Sequence, residues 1–130
     1  MQYLLDTNHA SAVFSYKLDL ASHPKRTPTH QFGLPLPVIA ELWFMVFASA
    51  RLQKNQHRLL EIMPDFTPRP FDEKAAVEFG RIKADLKKTG SPIPTVDVQI
   101  AAIARANGLT VLTADRHFNG IQGLNVETWL

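Results

Sequence analysis

Apolar residues occur in two patterns along this chain: short unbroken runs, and longer stretches with apolar positions three and four apart. The first run, Tyr3, Leu4 and Leu5, predicts a short buried strand over Gln2 to Leu5, because parallel strands lose polar alternation. Asp6, Thr7 and Asn8 then make a strand-to-helix corner of residues that accept from free helix amides, and a helix continues through Ala10 to Phe14. Ser22 to Leu36, rich in His, Pro, Thr and Gly, predicts no element. Leu34 to Ile39 suits a second strand, at an edge or an irregular entry because Pro35 and Pro37 lack amide donors. A helix follows from Ala40, with no breaker between Glu41 and Gln53 and with Leu42, Met45, Val46 and Ser49 at helical spacing.

Pro64, Pro68 and Pro70 mark a connection to the clearest helix. Asp72 caps it, Ala75, Phe79, Ile82 and Leu86 form its apolar stripe, and Gly90 ends it. Thr95 is read as the cap of a further helix that buries Ile100, Ala101, Ile103 and Ala104 and stops at Asn107 and Gly108. Leu109 to Thr113 is a strand, Ala114 to Phe118 a turn or short helical segment, and Asn125 to Trp129 a last strand. Strands alternating with helices predict an α/β fold with a mainly parallel sheet, and 130 residues fit one domain, 1–130.

Composition changes this picture only by exclusion. There is no cysteine, which removes disulfides, thiol catalysis and thiolate-bound metals. The longest apolar segment, Leu42 to Ala50, is far shorter than the roughly 20 residues that span a bilayer. No secretory signal pattern opens the chain, so the expected location is cytoplasmic, with no membrane partner. A net charge of +2 is weak support for nucleic acid, strengthened if several acids gather in one pocket and leave a more basic surface.

Such a gathering is what the elements predict. In open parallel sheets functional groups collect beyond the carboxyl ends of the strands. Asp6 and Asp115 follow strands directly, Asp97 lies in a first helical turn, and Glu41 opens the helix after the second strand. Each acid alone has a plainer explanation as a cap, a turn acid or a solvated helix residue; the combination carries the claim. Four converging carboxylates would raise one another's pKa unless cations neutralised them, and hard oxygen ligands select Mg²⁺ or Mn²⁺. Phosphodiester hydrolysis is the natural chemistry of such a site. Arg51, Lys54, Arg58 and Arg116 are candidate RNA contacts, with a solvated helix face as the alternative for the first three.

LLDTN at the start, the acid in VIAEL, FDEKAAVEFGRIKADLKKTG, PIPTVDVQIAAIARANGLTVLTADRHF and GLNVETW occur in the order found in the PIN-domain ribonucleases, and the chain resembles their VapC-like toxins. Only Ser15 to Leu36 falls outside the resemblance. It implies a three-layer α/β/α sandwich with Asp6, Glu41, Asp97 and Asp115 holding one or two Mg²⁺ or Mn²⁺ ions, and Thr7, Asn8 and Thr113 as supporting polar residues. It also implies an endoribonuclease acting on tRNA or rRNA, a homodimer, and a VapB-like antitoxin held in a toxin–antitoxin hetero-oligomer. The chain departs from the family pattern at Leu36 and Pro37, at Met45 and at Pro94. The alternatives are a catalytically silent module binding RNA or protein, and an aspartyl-nucleophile phosphatase, which wants an acid where Asn8 stands. His117 is read as a surface residue rather than a general base.

Overall fold

The computed structural model describes residues 2–130. Five strands form one wholly parallel sheet in the order β3-β2-β1-β4-β5: β1 (Gln2–Leu5), β2 (Gln31–Pro35), β3 (Thr67–Arg69), β4 (Thr110–Leu112) and β5 (Asn125–Glu127). The helices are α1 (Thr7–Phe14), α2 (Leu36–Ala48), α3 (Leu52–Ile62), α4 (Glu73–Thr89) and α5 (Thr95–Asn107). Tyr3, Leu4 and Leu5 are all buried although neighbours on a strand face opposite ways, so the centre of the sheet is covered on both sides. Helices α4 and α5 pack as one pair, and α2 and α3 as another that also meets α1.

The expected fold class holds, and several boundaries move. The second strand is Gln31–Pro35, not Leu34 to Ile39. Pro35 ends it, and Pro37 sits in the first turn of α2, where a missing amide costs nothing. The long helix expected from Ala40 to Gln53 is two helices, broken where Ser49 turns extended and its hydroxyl bonds the Val46 carbonyl. Thr67–Arg69, read as connection, is an edge strand, where Pro68 removes no needed donor. Thr95 is the first residue of α5 rather than its cap; Pro94 stands at the cap with no side-chain hydrogen bond. Asp72 caps α4 through the Ala75 amide, and Gly90 and Gly108 end α4 and α5 in the left-handed conformation, as the sequence predicts.

Residues 15–30 hold no helix or strand, and side chains fasten them across the sheet. His23 stacks on Trp129 with its Nε2 3.0 Å from that residue's carbonyl, and Lys25 Nζ bonds the Thr128 carbonyl at 2.9 Å. Trp129 also packs against Tyr3, His30 and Phe32. Among the described residues no helix is long and apolar enough to cross a membrane.

Candidate metal centre

The turn that leaves β1 sets the site. The Asp6 amide joins the sheet through the Leu112 carbonyl, 2.9 Å away, and so anchors the side chain beside the end of β4. Oδ1 of Asp6 accepts the Thr7 amide at 2.7 Å, and Oδ2 accepts the Thr113 hydroxyl at 2.8 Å. That hydroxyl oxygen in turn accepts the Asp115 amide at 2.9 Å. Thr113 is thus a clamp between two acids that are 109 positions apart in the chain (115 − 6).

Asp115 then caps the short 3₁₀ turn Arg116–Gly120 by accepting the His117 amide. The turn brings His117 Nδ1 to 3.2 Å from Asp115 Oδ1 and 3.4 Å from Asp97 Oδ2, which enters from the first turn of α5. One ligand atom from each of Asp97, Asp115 and His117 lies within 4.8 Å of the other two. Asp6 sits behind them, 5% exposed.

Electrostatics bind the acids into one unit. Burial raises the Asp6 pKa, against the lowering effect of its bonds from Thr113 and Thr7, and the Asp115 charge raises it further. Burial likewise raises the pKa of Asp97, with Asp6 and then Asp115 adding to the rise and His117 opposing it. Carboxylates crowded and desolvated in this way are relieved by a divalent cation, and the cluster has the donors of a metal site.

Glu41 lies in the second turn of α2, on the helix that leaves the neighbouring strand β2. It is exposed, and among the described residues no hydrogen bond or ion pair holds it. Thr7 is half-buried at the start of α1. The oxygen of the Asn8 side chain is 2.9 Å from His9 Nδ1 and accepts the Ala114 amide at 3.4 Å.

Arg51, Lys54 and Arg116 are exposed. Arg58 is engaged inward: its guanidinium bonds the carbonyls of Phe14 and Val13 and the Glu61 carboxylate, and lies 3.8 Å from the centre of the Tyr16 ring. It serves as the cap of α1's carboxyl end. The sequence reading did not place His117 with the acids, although it is half exposed as expected. The available signal was its position two residues after Asp115, where an acid capping a turn brings the next side chains back toward itself.

The PIN domain family model matches residues 3–124. The chain is 29% identical to the tRNA(fMet)-specific endonuclease VapC of Shigella flexneri over 134 aligned residues, spanning 99% of this chain and 98% of the relative. It is 32% identical to ribonuclease VapC5 of Mycobacterium tuberculosis over 92% of this chain and 87% of that one. Its fold superposes with a TM-score of 0.89 on a chain from the crystal structure of VapBC2 from Rickettsia felis bound to a DNA fragment from their promoter, at 26% identity and full coverage of both chains.

Proposed function

The chain belongs to the PIN-domain family, as a ribonuclease of the VapC toxins, and on that premise we propose that its acidic edge holds Mg²⁺ or Mn²⁺ and cuts RNA internally, with tRNA the class of target. The observation that carries this reading is the meeting of Asp97, Asp115 and His117 in front of the buried Asp6. Asp6, Asp97 and Asp115 would hold the cation, with Glu41 reaching in from α2. When bound, the cation supplies a water of lowered pKa and stabilises negative charge on the phosphate oxygens. Thr113 keeps Asp6 and Asp115 in register, and its hydroxyl donates to a carboxylate whose pKa burial raises. Asp97, in the first turn of α5, stands where the free amides of a helix start favour negative charge. Arg51, Lys54 and Arg116 are available to phosphates flanking the cut.

A cognate antitoxin is the expected inhibitor, by analogy with the toxin–antitoxin complexes of the relatives. Helix α2 offers partner surface, since Phe44 and Phe47 stand 67% and 61% exposed, and a homodimer or toxin–antitoxin hetero-oligomer would cover apolar area of this kind.

The test is cleavage of total cellular RNA by the wild type and by Asp97→Asn, with Mg²⁺, with Mn²⁺ and with chelator. Discrete metal-dependent fragments from the wild type alone are expected. No cleavage by folded, antitoxin-free wild type under any of these conditions would overturn the reading in favour of a silent binding module.

A further inference from the structure

His9 is wholly buried, lies next to the acidic edge and has no role in the mechanism above. Its two ring nitrogens have different partners. Nε2 lies 3.0 Å from the Trp129 backbone nitrogen, and Nδ1 lies 2.9 Å from the Asn8 side-chain oxygen. A backbone amide can only donate, so Nε2 must carry a lone pair and the ring proton of the neutral imidazole must sit on Nδ1. The Asn8 atom facing Nδ1 must therefore accept, which makes it oxygen. The Ala114 amide, 3.4 Å from the same atom, independently requires an oxygen there. With both acceptor sites of Oδ1 turned toward His9 and Ala114, the two N–H donors of Asn8 face elsewhere, and among the described residues neither has a protein partner.

From this network we infer that His9 is a positioning residue: it fixes the Asn8 amide so that its two donors are presented at the acidic edge, to a phosphate oxygen of the substrate RNA. The inference rests on the nuclease reading for its use of phosphate, and on hydrogen-bond logic alone for the orientation. Phosphate approaching Asp6, Asp97 and Asp115 meets three carboxylates, so a neutral donor held in place there lowers repulsion without consuming a cation's charge. An unguided asparagine would turn either its oxygen or its nitrogen to the substrate, and only one of the two attracts a phosphate. Burial, with the nearby His23, holds the His9 pKa down to about 4, so the imidazole remains neutral where the enzyme works. Trp129 is the fixed end of the network, since its ring is packed against Tyr3, His23, His30 and Phe32.

Two measurements test this separately from the nuclease reading. Long-range ¹H–¹⁵N spectra of the metal-free wild type at neutral pH should show His9 with a protonated Nδ1 and a bare Nε2; the opposite or an averaging tautomer overturns the inference whatever the protein does to RNA. In cleavage assays, His9→Phe keeps the ring volume and removes both bonds, and should lower kcat roughly 10- to 100-fold with KM little changed. His9→Gln, whose amide offers one acceptor and one donor, should recover most of the loss. Asn8→Ala should match His9→Phe, and the double variant should be no slower than Asn8→Ala alone. Multiplying losses, or a His9→Phe protein with wild-type kcat, overturns the positioning role. Should His9→Phe fail to fold, the tautomer spectrum and His9→Gln carry the test: a His9→Gln protein as slow as Asn8→Ala overturns the positioning role. An inactive wild type would remove the nuclease reading and leave the relay to be decided by the spectrum.

Discussion

Thr113 is one hydroxyl with two obligations: it donates to Asp6 and accepts from the Asp115 amide. Thr113→Val keeps the shape and loses both, so stability should fall by about 1–3 kcal/mol in urea unfolding and cleavage by roughly 10- to 100-fold. Asp97 behaves in the opposite sense. Its pKa is raised by burial and by the charges of Asp6 and Asp115, which means the ionised form strains the metal-free fold. Asp97→Asn should therefore raise the Tm of the metal-free protein while abolishing cleavage and the further rise in Tm that Mn²⁺ gives the wild type. His9 provides a pH signature. An unfolded chain binds the imidazole proton near pH 6.5 and the folded one only near pH 4, so across that interval the unfolded state holds more protons and stability falls as pH falls. A shift of that size is worth about 3 kcal/mol. Asp6 and Asp97, whose pKa values are raised, act oppositely, so urea titrations of wild type beside His9→Gln isolate the histidine: the variant should lose less stability between pH 6.5 and 4. At this scale the positions of Asp6, Asp97 and Asp115 were legible in the sequence because each follows a strand or opens a helix, whereas Glu41, expected to open its helix, lies in the second turn of α2 and is exposed. His9 and His117 were harder, since each joins a neighbour in sequence, Asn8 or Asp115, to a distant partner, Trp129 or Asp97, which no local spacing announces.

Among the elements, α4 was the easiest to read, because an Asp cap, an apolar stripe and a Gly stop all agree within one stretch. β2 and β3 were harder for a physical reason. Gly33 contributes nothing to a hydrophobic pattern, yet the space beside it is tight: a Cβ there would meet Arg69 Cγ at 3.1 Å and the Thr67 carbonyl at 3.2 Å. The Arg69 side chain lies across that glycine and reaches Gln2 on β1 with its guanidinium. Gly33→Ala should cost about 1–3 kcal/mol through overpacking, read as a lower urea midpoint with the same m-value. The three-residue β3, with Pro68 at its centre, has a pattern of its own only as the partner of β2. Arg58 shows the converse error, in which an exposed-looking basic face hides an inward guanidinium. Arg58→Ala should lower stability by about 1–3 kcal/mol, from the loss of charged hydrogen bonds to α1, while leaving the salt dependence of RNA binding unchanged.

For the molecule as a whole, the alternation of strands and helices was sufficient to predict a parallel layered fold, but nothing in it said that residues 15–30 would be pinned by Trp129. Trp129→Ala removes the ring that four aromatic and imidazole neighbours share; about 3–5 kcal/mol should be lost, and trypsin should gain access at Lys25 and Arg26. The parallel pairing of β1 with β4 sets a different kind of limit. Tyr3 lies opposite Thr110 and Leu5 opposite Leu112, so the two central strands, which end just before Asp6 and Thr113, pair across nearly the whole chain. Closing so long a loop is slow, because its entropy must be spent before the pairing rewards it. A half-folded chain of this kind carries the acids and lacks the site. For a ribonuclease, that separation ties cutting to the finished fold: a chain nicked before β4 pairs with β1 should not cleave RNA.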